Sequence, residues 1–183
     1  AAMQSFEKYE IWYPHDIENN DAKYPVVIFC NGTGVKASKY TAVMKHLASC
    51  GFVVMATEEE YSWNGFGAEM CLRFAIKMNR EQQIHDWDSN PFLGKLDMEH
   101  IGVSGHSQGG IGAINAATNV EHSSMVKAVF AASPTQSELA TTLEWDYNAE
   151  KLTVPTFLTA ATGNADSNTI CPLEGLQKIY DSI

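Results

Sequence analysis

The chain lacks what several functional classes require. No apolar run reaches the ~18 residues needed to cross a bilayer, so no membrane span is expected. Basic residues are scarce: 12 Lys and Arg stand against 22 Asp and Glu, a net charge of -10. A nucleic-acid binder presents a basic face, and none is evident here. The acidity also works against anionic substrates and membrane surfaces. The longest run of like charge is Glu58-Glu59-Glu60. Cys30, Cys50, Cys71 and Cys171 form no CxxC pair, which argues against zinc and thioredoxin-type sites. One disulfide is compatible with four cysteines, but spacing assigns no pair. There is no internal repeat, low-complexity segment or linker. Residues 1–10 have neither the basic start nor the apolar stretch of a secretory signal. The chain does not begin with Met, so export and cytoplasmic residence both stay open.

What is present reads as one domain over residues 1–183. Its 45% hydrophobic content is enough for a sizeable core. Short apolar runs alternate with longer amphipathic ones. Strands are expected at Tyr9 to Tyr13 (an edge), Val26 to Cys30, Phe52 to Ala56, Ile101 to Ser104, Val126 to Ala131 and Pro155 to Ala160. Val26-Val27-Ile28-Phe29-Cys30 is apolar throughout, as in a strand buried on both faces. Helices are expected at Ser38 to Ser49, Ala68 to Gln82, Gln108 to Thr118 and Leu173 to Ser182. In the first of these, Tyr40, Val43, Met44 and Leu47 share a side, and Gly51 is a stop signal. Asp16 to Lys23 and Asp86 to Asp97 read as polar turns. Asp86, Asp88 and Asn90 resemble the start of a calcium loop, but Pro91 stands where that loop needs Gly. No metal and no cofactor are expected. Strands alternating with helices predict an α/β fold, a mostly parallel sheet with helices on both faces.

The chemistry concentrates at Gly105-His106-Ser107-Gln108-Gly109, which fits G-x-S-x-G. The five residues alone would equally suit an inert Gly/Ser turn. Their setting is more specific: an apolar strand ends just before them and an Ala-rich helix starts just after. That is the strand–turn–helix context in which such a serine is a nucleophile. The turn is tight enough that side chains at Gly105 and Gly109 would collide with it. The helix N-terminus favours the negative charge that develops in acyl transfer. His106 neighbours Ser107 on a turn whose side chains diverge, so a packing role is expected for it.

A second glycine turn follows the buried strand, at Asn31-Gly32-Thr33-Gly34. In a nucleophile-elbow site this strand end supplies one oxyanion donor and the residue after the serine supplies the other. The expected donors are the backbone N–H groups of Thr33 and Gln108. Gly32-x-Gly34-x-x-Ala37 also fits the dinucleotide fingerprint, with Glu58 near the position of a ribose-binding acid. That rival explains one glycine turn and leaves Ser107 idle.

The segments Asn31-Gly32-Thr33, Leu47 to Val54, Leu93 to Asp97, Ile101 to Gly110, Val154-Pro155-Thr156 and Lys178 to Ser182 together resemble a known group. They are similar to the α/β-hydrolase superfamily, in particular the cutinase-like polyester hydrolases and the related chlorophyllase and dienelactone hydrolase groups. The resemblance covers nearly the whole chain. It implies an α/β-hydrolase-type sheet and a catalytic acid soon after Val154-Pro155-Thr156, for which Asp166 is the acidic residue available before Glu174. The acid would hold and charge-balance the catalytic histidine. The aromatic positions that polyester hydrolases carry beside the substrate correspond to Thr33 and Thr135, so an aromatic clamp there is not expected. Trp63 and Phe66 are the alternative aromatics, with core packing or a surface loop equally open for them.

In this fold the histidine follows the acid in the chain. All six histidines (His15, His46, His85, His100, His106 and His122) precede Asp166. The resemblance implies a last strand, a histidine loop and a final helix beyond Ser182, so the catalytic histidine is expected to lie outside these 183 residues. The expected activity is hydrolysis of a small-molecule carboxylic ester through an acyl-enzyme. The alternatives are a binding protein of the same fold without catalysis, and the dinucleotide-binding oxidoreductase.

Overall fold

The computed structural model describes residues 8–85, 87–162 and 166–183. Six strands form one sheet: β1 (Tyr9–Trp12), β2 (Tyr24–Cys30), β3 (Val53–Thr57), β4 (Leu96–His106), β5 (Val126–Ala132) and β6 (Thr156–Thr159). Among the described residues five α-helices accompany them: α1 (Thr41–Ser49), α2 (Phe66–Arg80), α3 (Gln108–Thr118), α4 (Ser137–Thr142) and α5 (Leu173–Ser182). Spatial order is β1-β3-β2-β4-β5-β6, with β1 antiparallel and every other pairing parallel. The expected α/β fold with a mostly parallel sheet is what the chain adopts. No helix among the described residues is long and apolar enough to cross a membrane.

Side chains of β2 alternate between two cores. Val26, Ile28 and Cys30 face the larger one, with α2, α3 and Ile179 of α5. Val27 and Phe29 face the smaller one, with Met44 of α1. This division follows from handedness. The chain moves one way along the sheet from β2 through α1 to β3, and the other way from β4 through α3 to β5. Right-handed crossovers in opposite directions put their helices on opposite faces. Counting only the parallel strands, the order is second, first, third, fourth, fifth. Its switch point lies between β2 and β4, and ligands of open α/β sheets bind outside the strand carboxyl ends at such a point.

Several sequence expectations change. The stretch Asp16 to Lys23 overlaps a 3-10 helix at His15–Asn19 that buries Ile17 completely. The helix expected from Ser38 begins as a 3-10 turn at Ala37–Tyr40 and becomes α-helical at Thr41. Val43 is exposed rather than packed with Met44. β4 starts at Leu96, five residues before its apolar stretch, because Tyr24 and Pro25 pair with Leu96 and Asp97. α4 has no counterpart in the sequence reading. Of the calcium-like triplet, Asp86 lies outside the described residues. Asn90 is occupied: its side chain donates to the carbonyls of Met78 and Glu81 and accepts from Phe92 N. All four cysteines are free thiols, and burial pushes Cys30 up to about 12, which makes it an inert core residue.

Candidate active site

Cys30 and Gly105 are register partners at the carboxyl ends of β2 and β4. The two glycine turns named in the sequence therefore lie side by side. Ser107 follows β4 with φ 58° and ψ -122°, a conformation strained for any residue with a side chain. Its backbone is fixed from both sides. Ser107 N–H donates to Ala132 O at 3.0 Å, and Ser107 O accepts from Gly110 N at 2.9 Å and Thr135 N at 3.3 Å. A Cβ on Gly105 would run into the Gly109 carbonyl, and one on Gly109 into the carbonyls of Cys30 and Asn31. The glycines let α3 start against the end of β2 with Ser107 at its N-terminus.

The facing loop is held as tightly. Asn31 is buried, and its side chain donates to the carbonyls of Thr57 and Glu59, each at 2.8 Å. Ser62 Oγ donates to Asn31 O at 2.7 Å. Gln108 Nε2 donates to Glu60 O at 2.7 Å, and Gly34 N–H donates to the same carbonyl at 3.0 Å. The segment after β3 thus clamps both turns. The N–H groups of Thr33 and Gln108 have no acceptor among the described residues. For Gln108 this follows from its place as the first residue of a helix.

Ser107 opens into a cleft of about 530 Å3. Gly32, Thr33, His106 and Thr135 line it with Ser107, together with the largely apolar Tyr40, Val35, Leu139, Leu143, Trp145 and Ile170. A second concavity of about 510 Å3 lies on the α1 face of the sheet, between Val27, Val43, Leu47, Phe130 and Phe157. It holds no titratable side chain.

The residues named from sequence divide as follows. Ser107, Thr33 and Thr135 line one cleft, with Gln108 directly behind it. Asp166 begins a π-helical turn, Asp166–Ile170, whose far end supplies Thr169 and Ile170 to the cleft wall. That turn is tied to the start of α4: Gln136 N–H donates to Ile170 O and Gln136 Nε2 to Thr169 O, both at 2.8 Å. Burial first, then the neighbouring Asp166 carboxylate, raises the Cys171 thiol to about 11. The turn residues Gly163, Asn164 and Ala165 before Asp166 lie outside the described residues. Neither alternative aromatic lines the cleft: Trp63 stacks on Trp145 with centroids 6.4 Å apart, and Phe66 is exposed. Trp145 itself reaches the cleft, together with Tyr40, Leu139 and Leu143. The sequence reading assigned none of these four to the site, since no local pattern marks them.

Among the described residues His106 is the one histidine on the cleft. Its Nδ1 lies 3.2 Å from Tyr40 Oη. His100 pairs with Asp97 at 2.8 Å and His122 with Glu69 at 2.7 Å. The dinucleotide fingerprint meets two obstacles. No α-helix opens at the Gly32–Gly34 turn, α1 starting only at Thr41. Glu58 is engaged as well, its carboxylate accepting from Ser38 N at 3.0 Å and Ser38 Oγ at 3.2 Å.

A switch-point cleft with a strained serine between β4 and α3 defines the α/β-hydrolase class. The chlorophyllase family model matches residues 16–137, about two thirds of the chain. The protein belongs to the chlorophyllase family, an α/β-hydrolase-type family of carboxylic ester hydrolases. The matched span contains Thr33, Ser107 and Gln108, whereas Asp166 lies beyond it. A comparison with individually curated proteins found no match.

Proposed function

We propose that the protein is a serine esterase that cleaves a carboxylic ester through an acyl-enzyme, with Ser107 as nucleophile. The observation that carries this is the positive-φ serine at the N-terminus of α3, set beside two backbone N–H groups that lack acceptors among the described residues. Ser107 Oγ attacks the ester carbonyl carbon, and the tetrahedral oxyanion takes hydrogen bonds from the N–H groups of Thr33 and Gln108. Collapse of this intermediate expels the alcohol and leaves the acyl group on Ser107. Water then attacks the acyl-enzyme and releases the acid. One such donor contributes about 3 kcal/mol to transition-state stabilisation.

The proton from Ser107 passes to a histidine and on to the leaving alcohol, and Asp166 orients and charge-balances that histidine. None of the six histidines in these 183 residues is assigned this role. His106, the one on the cleft, faces Tyr40 through Nδ1, and His122 and His100 are held by carboxylates. The apolar cleft walls and the acidic chain favour an uncharged ester with an apolar acyl or alcohol part.

A fluorophosphonate probe tests the reading. The full protein should label covalently, and Ser107→Ala should lose all labelling while keeping its melting temperature. A second reading is a binding protein without catalysis, favoured by one observation: no described base is hydrogen-bonded to Ser107 Oγ. Failure of the full protein to label, with no turnover across a chain-length series of p-nitrophenyl esters, would select that reading.

A further inference from the structure

We infer that Tyr40 is the positioning residue that holds the oxyanion loop against the nucleophile turn, an inference that rests on the esterase reading. Tyr40 lies at the end of the 3-10 turn Ala37–Tyr40, outside both the loop and the strand end that it joins. Its hydroxyl accepts the Gly32 N–H at 3.0 Å and meets His106 Nδ1 at 3.2 Å. Because Gly32 N–H can only donate, the Tyr40 proton is free to go to His106. The one hydroxyl can therefore engage both groups at once.

Each end of this bridge stops one residue short of the chemistry. Gly32 precedes Thr33, whose N–H is the proposed donor, and His106 precedes Ser107. One hydroxyl therefore couples the position of the donor to that of the nucleophile. The junction is close: a Cβ on Gly32 would lie 2.8 Å from Tyr40 Oη and 3.2 Å from His106 Nδ1. The ring is braced independently of its hydroxyl, packing on Phe29 with centroids 4.6 Å apart. Removing the hydroxyl should thus loosen the bridge while leaving the ring in place.

The size of the effect is bounded. Deleting an oxyanion donor outright costs about 10²–10³-fold in kcat. A misplacement of about 1 Å can cost up to about 10²-fold. Loosening the loop that carries a donor should cost less than either limit, roughly 10–30-fold. The loss should fall on kcat and not on KM, since ground-state esters do not need the donor in its final place.

The test is Tyr40→Phe in the full protein, assayed on a p-nitrophenyl ester and with an alkyl boronic acid, which forms a tetrahedral adduct on the serine. The expected result is a fall in kcat of roughly 10–30-fold with KM within about twofold, and boronate affinity weakened by the same factor as kcat/KM. A folded Tyr40→Phe with unchanged kcat, or with its whole loss in KM, would overturn the inference and leave the esterase reading standing. An inactive, unlabelled wild type would overturn both. If Tyr40→Phe does not fold, His106→Leu cuts the other half of the bridge. A kcat loss with unchanged KM then supports the inference, and unchanged kcat overturns it.

Discussion

Ser107 holds a backbone conformation that costs about 1–3 kcal/mol for a residue with a Cβ. The surroundings impose it: three hydrogen bonds fix its peptide groups, and glycines on either side let β4, α3 and the end of β2 close to contact. Strain of this kind persists where function requires it, and here it projects a hydroxyl into the cleft. Glycine tolerates φ 58°, ψ -122° without that cost but loses about 0.5–1 kcal/mol in chain entropy. Ser107→Gly should therefore abolish fluorophosphonate labelling and still gain about 1 kcal/mol, seen as a melting temperature about 3 °C higher. Calorimetry of the two proteins checks this, and a lower melting temperature would show that Ser107 is not strained in the folded chain. Gly109 differs from Ser107 in kind, because its constraint is a collision with the carbonyls of Cys30 and Asn31 rather than a dihedral angle.

Among the elements, a buried carboxylate ties α2 to the turn that follows α3. Glu69 on α2 accepts from His122 N at 3.1 Å, meets His122 Nδ1 at 2.7 Å, and accepts from Arg73 Nε at 2.7 Å. Arg73 also reaches Glu121. Glu69, Glu121 and His122 could in principle surround a cation, but the Arg73 guanidinium already bridges the two carboxylates. Burial pushes the Glu69 carboxyl up; the hydrogen bonds from Arg73 and His122 outweigh it and hold it below its ordinary value. A lowered folded-state pKa stabilises above the unfolded value, and the gain disappears as pH falls through the folded one. Glu69→Gln should cost about 2 kcal/mol at neutral pH. Thermal melts should show the gap closing as the solution is acidified below about pH 4.3, the unfolded glutamate value. A gap that stays constant to pH 3 would mean that Glu69 is not held ionised by these partners.

The same scale explains what the sequence discloses. α3 begins and ends where the sequence signals put it, because it is buried along most of its length; α5 matches its expected bounds as well, with Ile179 anchoring it in the larger core. The nucleophile turn is legible because close approach of backbones demands glycine at fixed offsets. α4 is not legible: six residues are too few for a 3.6-residue period, and its position depends on distant contacts. Gln136 anchors its start to the Thr169–Ile170 turn, and Trp145 N–H donates back to Ala140 O. The cleft walls built from Leu139, Leu143 and Trp145 share that fate, as does Tyr40, whose partners are 8 and 66 residues away in the chain. Local pattern thus discloses the groups proposed to react, and long-range packing decides the shape of the space in front of them.

At the scale of the whole molecule the sheet is covered unequally. Among the described residues, one face carries α2, α3 and α5 over the larger core, while the other carries α1 and the 3-10 turn before it over its β1–β3–β2 side. The remainder of that face is the apolar concavity of about 510 Å3, where Phe130 and Phe157 stack with centroids 5.6 Å apart. Phe157 is 66% exposed and lies on β6, an edge strand among the described residues. Exposed aromatics beside an unpaired strand edge are an aggregation hazard. The purified protein should bind a fluorescent apolar dye and scatter increasingly with concentration. Phe157→Thr should lower both signals. Threonine keeps the strand preference of the position, and the lost ring was largely in water, so the melting temperature should move by less than about 2 °C. Dye binding and light scattering read this directly. If Phe157→Thr left both unchanged, the exposed face would not be the sticky one. If the variant instead lost several degrees of stability, Phe157 would be packed in solution rather than exposed.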